Sequence, residues 1–441
     1  MRIRDARVVY LVLESASALL QATVWTTAAV YFISDAKLGP LQLVLLGTVM
    51  ELSILVFEIP TGIVADAVSR RRSVLLGTTL MGVALVLTGT LPSFPALLAA
   101  HALWGLGYTF TSGATEAWVA GEVGDQAVGP LFLRAAQCAN LAAALGIGLS
   151  VGLANLDLSL PLVAAGVLQL ALAAWLALAM PETGFRPVSR GRRSTWRQLT
   201  RTAGDGLAAT RRNRLLLALL VVAGFAGMST EGIDRLWELH LLREVGLPGL
   251  GQLSPVTWFG IIQLASLGLA AAVIGPGRKR VDTSDPRALC RLLLVLTITE
   301  AASMVAFGLA GSFGLAVAAF LAYGGVRGLR DPLYAAWIVP MIQPLQVRAT
   351  VLSTIGQMDA VGQVVGGPTI GLVAALTSPG VAIVAAGNAL VPVAIVLSRL
   401  STRIVDVDGY TGLSAPTTRR SSIVDLSDAN GANGDRACGG V

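Results

Sequence analysis

The stretch Phe57-Glu58-Ile59-Pro60-Thr61-Gly62-Ile63-Val64-Ala65-Asp66-Ala67-Val68-Ser69-Arg70-Arg71-Arg72 joins two long apolar runs. It predicts that one membrane helix ends near Val64, that the chain turns at Asp66, and that Arg70, Arg71 and Arg72 hold the turn in the cytoplasm. Gly62 lets a neighbouring backbone come close, as small residues do between membrane helices. Asp66 is placed to accept hydrogen bonds from the free N–H groups that open the next helix.

Apolar runs continue on both sides. A spanning helix needs about 20 apolar residues. Runs of that kind lie near 9–34, 41–64, 73–91, 94–118, 132–153 and 159–180, and again near 214–240, 255–276, 288–309, 312–339, 349–376 and 379–398. The 441 residues are 54% hydrophobic and only 13% charged, with a mean hydropathy of +0.71. A soluble globular chain carries about 25% charged residues. The expectation is an all-α polytopic membrane protein of twelve transmembrane helices in two six-helix sets. Its parts are an N-terminal half (1–180), a basic linker (181–213), a C-terminal half (214–398) and a polar tail (399–441).

The net charge of +6 comes from arginines in short loops, so it marks topology and gives no reason to expect a nucleic-acid partner. With the N-terminus inside, Arg2, Arg4, Arg7, Arg70–Arg72, the linker arginines, Arg278, Lys279, Arg280 and Arg348 all fall on the cytoplasmic side. The external loops keep little beyond Lys37 and Arg243. Both termini are therefore expected in the cytoplasm. In the linker, Trp196, Leu199, Ala203 and Leu207 fall near helical spacing beside Arg197 and Arg201, which suits a helix lying on the membrane surface. The tail is rich in Ser, Asp and Gly and reads as disordered. The first apolar run contains Glu14 and reads as a retained helix, not a signal peptide.

The two halves look like repeats. Trp104-Gly105 and Trp118 in the fourth run match Tyr323-Gly324 and Trp337 in the tenth at one constant offset. Arg278-Lys279-Arg280 follows the eighth run as Arg70–Arg72 follows the second.

Cys138, Cys290 and Cys438 form no Cys-x-x-Cys pair, so neither a zinc site nor a disulfide framework is implied. Cys438-Gly-Gly-Val441 puts glycines where a prenylation box needs aliphatic residues. No nucleotide-binding Gly-x-x-x-x-Gly-Lys-(Ser/Thr) loop occurs, and no metal or redox cofactor is expected. Lysine stands only at 37 and 279, which points to a GC-rich, bacterial source.

Ionisable groups inside spans cost about 2.5–3.5 kcal/mol each on insertion scales, so they mark function by default. Here they are Glu14, Glu51, Glu58, Glu116, Glu231, Asp234, Arg235, Glu300, Arg327, Arg330, Asp331 and Asp359. Acids outnumber bases, and surplus buried carboxylates hold protons or cations. Asp234 and Arg235 either neutralise one another or sit at the outer boundary. Arg327, Arg330 and Asp331 read as a solvated cytoplasmic end, and Glu116 is similarly late in its run. Glu14, Glu51 and Asp359 lie deeper. Glu300 has no role in this reading. His101 reads as a boundary residue or a proton relay.

Gly62-x-x-x-Asp66-x-x-Ser69-Arg70-Arg71 resembles the signature between helices 2 and 3 of the major facilitator superfamily, with Ala67 in place of a basic residue and Ser69 in place of a glycine. His101-x-x-Trp104-Gly105-x-Gly107 stands where the facilitator drug exporters place Arg-x-x-(Gln)-Gly-x-Gly. Gly367-Pro368-x-x-Gly371 resembles the antiporter Gly-Pro-x-x-Gly element but lies in span 11 instead of span 5, and reads as a packing and kink site. With Thr115–Trp118 and Val347–Ser353, these stretches look like the drug:proton antiporter branch that holds tetracycline- and macrolide-type exporters.

That resemblance implies the major facilitator fold, with a midplane cavity lined by spans 1, 4, 7 and 10 and with alternating access to it. It implies a monomeric plasma-membrane transporter that exports small lipophilic or cationic molecules against protons and works within the lipid bilayer. Glu14, Glu116, Glu231 and Asp234 are the expected proton-coupling or cavity residues; Gly62, Asp66, Arg70 and Arg71 form the expected inner gate. Glu51, Glu58 and Asp359 are buried acids without an assigned role. Other readings are an importer, a narrow-substrate exporter such as a siderophore exporter, or a sensor that keeps the fold. A membrane-embedded transferase is disfavoured, because only His101 and His240 are present and no nucleophile motif accompanies them.

Overall fold

The computed structural model describes residues 5–185, 214–249, 253–280, 285–341 and 348–407. The expected interfacial helix of the linker and the tail beyond Val407 lie outside the described residues, as do the side chains of Arg278, Lys279, Arg280 and Arg348. Fifteen α-helices are present among the described residues, and they are numbered here in chain order. The first set comprises α1 (Ala6–Trp25), α2 (Ala28–Ser34), α3 (Pro40–Ala67), α4 (Arg70–Thr90), α5 (Phe94–Thr111), α6 (Ala114–Val123), α7 (Asp125–Ala154) and α8 (Leu160–Ala179). The second comprises α9 (Arg214–His240), α10 (Pro255–Arg280), α11 (Pro286–Gly308), α12 (Phe313–Met341), α13 (Arg348–Leu376), α14 (Pro379–Asn388) and α15 (Val391–Val407).

Prolines open seven of these helices, at Pro40, Pro95, Pro161, Pro255, Pro286, Pro379 and Pro392, where the missing N–H costs nothing. Three spans are broken in two: α1/α2 at Thr26–Thr27, α5/α6 at Ser112–Gly113, and α14/α15 at Ala389–Leu390. Gly113 has φ of +69°, which a side chain adopts only under strain, so the break in the fourth span is written into the sequence. With broken spans joined, the helices form twelve crossings. Ten are long and apolar enough to span a membrane. The fourth, interrupted at Gly113, and the tenth, carrying Arg327, Arg330 and Asp331, fall short of that measure.

The packing repeats between the sets. α1 lies along α7 as α9 lies along α13; α4 packs on α5 and α8 as α11 packs on α12 and α14; α3 meets α5 as α10 meets α12. The glycines matched at constant offset seat equivalent crossings: Gly105 of α5 faces Met50 and Ser53 of α3, and Gly324 of α12 faces Ser266 of α10. Leucines such as Leu141 and Leu145 on α7 are 71% and 69% exposed, an apolar outer surface that needs lipid around it.

The sets meet along α3–α13 and α7–α10. Gly367 packs over Thr48, and Gly371 over Leu41 and Val44, which fits the packing role expected of that glycine-proline element. At the same end of the bundle Ser254 donates to Asn155 Oδ1 at 2.6 Å, and Asn155 Nδ2 donates to Thr257 at 3.3 Å. Gly260 lets α10 close against Val151 of α7. At the opposite end no neighbouring group comes within 4 Å of where a Cβ on Gly62 would stand. Among the described residues, the two sets are joined by hydrogen bonds at the Asn155 end, and Gly62 near the Asp66 end has no such neighbour.

Candidate functional site

The Phe57–Arg72 stretch folds differently from expectation in two details. The helix continues past Val64 to Ala67, and the turn falls at Val68–Ser69. Asp66 does not cap the following helix. Ser69 does, accepting from Arg72 N at 3.0 Å, and Glu182 completes the cap by accepting from Arg71 N at 2.9 Å and from the Ser69 hydroxyl. Ser69 has an extended backbone with φ of −178°, so this turn needs no glycine. Asp66 instead pairs with Arg70 at 3.3 Å, while Arg70 Nη1 donates to Ala117 O at 2.8 Å. Arg71 donates to Ala177 O. Asp66, Arg70 and Arg71 thus tie α3, α4, α6 and α8 together within the first set. Glu182 was not singled out in the sequence, since nothing in its polar surroundings distinguishes it.

Four cavities that share lining residues lie in the middle of the bundle among the described residues. The first, of about 190 Å³, brings Glu14 of α1 and Glu116 of α6 together with Gln21, Trp25, Trp104 and Tyr108. The break at Gly113 puts Glu116 in the first turn of α6, where the helix N-terminus favours a negative charge. Glu116 lines this cavity and is itself exposed. Trp104 and Tyr108 stack at 5.7 Å, with Trp25 edge-on to Trp104 at 5.8 Å.

Glu51 of α3 and Asp359 of α13 face two further cavities, of about 520 and 460 Å³, at the junction of the sets. Glu58 lines the latter and accepts from Ser112 Oγ at 3.1 Å. Asp359 accepts from Gln363 at 2.8 Å. Among the described residues none of Glu14, Glu51, Glu58, Glu116 and Asp359 forms an ion pair with a basic side chain.

Other acids of the second set, on α9 and α11, are paired with arginines. Arg327 donates to both oxygens of Asp234, at 2.8 and 3.0 Å, and to the Tyr323 hydroxyl at 2.6 Å. Arg235 lies 3.6 Å from Glu231. Asp234 and Arg235 therefore do not neutralise each other, because neighbours on a helix point about 100° apart and each finds another partner. The Arg235 side chain crosses to the first set and occupies the notch over Gly47 of α3, where a Cβ would stand only 2.7 Å from its Cζ. Arg330 reaches Glu300 at 2.5 Å, which gives the unexplained acid of α11 its partner. With a side chain only 13% exposed, Arg330 is no solvated end, whereas the Asp331 side chain is 55% exposed.

A last cavity, of about 350 Å³, lies between the sets and is lined by His101, Asp234, Arg235, Trp237, Glu238 and Arg327 among others. His101 is buried, with Nδ1 2.8 Å from Leu97 O and its ring against Trp25 and Phe32. Glu238 was missed in the sequence. The signal was available: Glu231, Asp234, Arg235 and Glu238 recur at i, i+3, i+4 and i+7, one face of α9.

Comparison with known proteins agrees with this architecture. The family model described as Major Facilitator Superfamily matches residues 11–367. An uncharacterized MFS-type transporter, YxaM of Bacillus subtilis (strain 168), is 21% identical over 341 residues, covering 76% of this chain and 81% of that one. The crystal structure of the nucleoside transporter NupG superposes with a TM-score of 0.72 at 14% identity over 91% of this chain and 99% of that one. A POT family transporter in complex with 5-aminolevulinic acid gives a TM-score of 0.72 at 12% identity over 92% and 99% of the two chains. At such identities the structures establish the fold alone. With twelve crossings in two repeated sets around a central cavity, and a family model matched across most of its length, the chain belongs to the major facilitator superfamily and is a secondary transporter of that fold.

Proposed function

We propose that the protein is a proton-coupled exporter of small lipophilic cations, resembling the drug:proton antiporters. The observation that carries this reading is the asymmetry of charge around the cavity. Glu231, Asp234 and Glu300 of the second set are matched by arginines, whereas Glu14, Glu51, Glu58 and Glu116 of the first set, together with Asp359 and Glu238 of the second, have no basic partner among the described residues. A membrane-embedded carboxylate without a counter-ion takes either a proton or a cationic substrate, and that competition is the elementary step of antiport. The Trp25–Trp104–Tyr108 cluster beside Glu14 and Glu116 offers aromatic faces to a lipophilic cation.

Glu14 and Glu116 are the coupling residues in this reading, and Glu231 and Asp234 hold Arg235 and Arg327 in the central path. Glu51 and Asp359 bring two carboxylates to the α3–α13 seam, where the halves 1–180 and 214–398 rock. With Arg70–Arg72 in the cytoplasm of a bacterial cell, the Asp66 end is the inner mouth and the Asn155 end the outer gate. Gly62, Asp66, Arg70 and Arg71 then form an inner gate whose face at Gly62 awaits α13 in the opposite state. The unit of transport is a monomer in the plasma membrane.

Efflux of a panel of fluorescent lipophilic cations from cells making the protein tests the reading. Faster efflux than from empty-vector cells, abolished by a protonophore, is the expected result. Efflux unchanged by the protonophore removes proton coupling, and net accumulation of the dyes reverses the direction to import.

A further inference from the structure

The cavity of about 350 Å³ near the Asn155 end shares Trp25 with that of Glu14 and Glu116 but is lined by other charged groups. Its charged lining is Asp234, Arg235, Glu238 and Arg327. Asp234 and Arg327 are joined at 2.8 Å, and Arg235 stands 3.6 Å from Glu231, an ion pair without a hydrogen bond, with its side chain in the notch over Gly47. Glu238 remains. It is 4% exposed, and its Oε2 has no hydrogen-bond partner among the described residues. A buried carboxylate oxygen without a partner is costly and therefore a place where a ligand gains affinity.

The walls decide which ligand. Trp25, Phe32, Trp237, Phe320 and Tyr323 line the same cavity. Trp237 and Phe320 stack at 4.4 Å, and Tyr323 already holds the Arg327 guanidinium against its ring at 5.8 Å. Aromatic faces with one carboxylate select an organic cation over a metal ion, which would require several oxygen or nitrogen ligands.

We propose that Glu238, with Trp25, Phe32, Trp237 and Phe320, forms a recognition site for an organic ammonium group. This deepens the transport reading, on which it rests, by adding a second place on the cation's path, nearer the Asn155 end than the carboxylates at which cation and proton compete. The cation sits between the sets, touching α1 and α2 from one and α9 and α12 from the other, so its binding reports on the outer end.

The test uses the full-length protein in lipid nanodiscs and benzyltrimethylammonium, which is permanently charged and cannot donate a hydrogen bond. Because Trp25 and Trp237 line the cavity, binding is read from tryptophan fluorescence. The expected result is saturable binding that Glu238→Gln weakens about tenfold or more and Phe320→Leu about fivefold, the scale of a lost desolvated charge pair and a lost cation–aromatic contact. Wild-type protein that does not bind the probe, or both variants binding as tightly as wild type, overturns the site. If Glu238→Gln does not yield monodisperse protein, the Phe320→Leu result decides alone. Protonophore-sensitive efflux with binding indifferent to Glu238 and Phe320 overturns this site and leaves the transport reading standing. Glu238-dependent binding with efflux indifferent to the protonophore does the reverse.

Discussion

Arg330 of α12 and Glu300 of α11 are bound to each other at 2.5 Å, with the Glu300 side chain only 2% exposed. The pair lies on two helices of one half, so it serves the half as a rigid body and not the motion between halves. Removing one partner leaves an uncompensated buried charge, which costs about 3–5 kcal/mol, whereas replacing both by apolar groups is close to neutral. Arg330→Met should therefore lower the thermal midpoint of the detergent-solubilised protein sharply. The double variant Arg330→Met, Glu300→Met should recover most of the loss. If the double variant is as unstable as the single one, the pair is not what holds α11 to α12.

Gly113 breaks the fourth span by taking φ of +69°, and the break delivers Glu116 to Glu14's cavity. Gly113→Ala should cost about 1–2 kcal/mol, the penalty of a left-handed conformation for an L-residue. Transport should fall further than stability, because a straightened span carries Glu116 away from Glu14. A thermal midpoint and an efflux rate measured on the same variant separate the two effects.

At the α4 N-terminus, Ser69 both caps the helix and donates to Glu182. Ser69→Ala should cost about 1 kcal/mol from the cap alone. Ser69→Gly should not improve transport, since the residue has an extended backbone and no demand for positive φ. A gain of transport on restoring the family's usual glycine would contradict this structural reason for the serine.

Asn155 with Ser254 and Thr257 latches the Asn155 end, and Val151 seats against Gly260 beside it. Asn155→Ala combined with Gly260→Val should shift the population toward the state open at that end. Spin labels at Leu156 on one half and Leu253 on the other should report a longer distance in the variant. Unchanged distances would mean that the α3–α13 seam alone holds the end together. In the same assay Asp66→Asn should favour the Asp66-end-open state, if Asp66 and Arg70 prepare the face on which α13 docks.

The fold was legible because membrane spans declare themselves by apolar length and short loops by their arginines. The repeat was legible too: the match of Trp104-Gly105 with Tyr323-Gly324 reflects glycines that seat the same helix crossing in each half. The site was legible only as a set of unexpected charges. Sequence shows that Asp234 and Arg235 are adjacent, but helical geometry sends them to Arg327 and Glu231. Glu300 looked orphaned because its partner lies on the next helix, thirty residues away. Glu182 and Glu238 went unnoticed, the one in a polar segment and the other on a face already rich in acids. Pairing across helices is tertiary information, and no window along the chain contains it.

The central claim is that protons leave the Glu14–Glu116 cavity when a cation enters. Purified protein in proteoliposomes, with a pH-sensitive dye enclosed and a lipophilic cation added, measures this directly. Proton-coupled export predicts cation-driven proton movement by wild type and its loss in Glu14→Gln and Glu116→Gln. Cation flux without proton movement in wild type, or coupling intact in both variants, would contradict it.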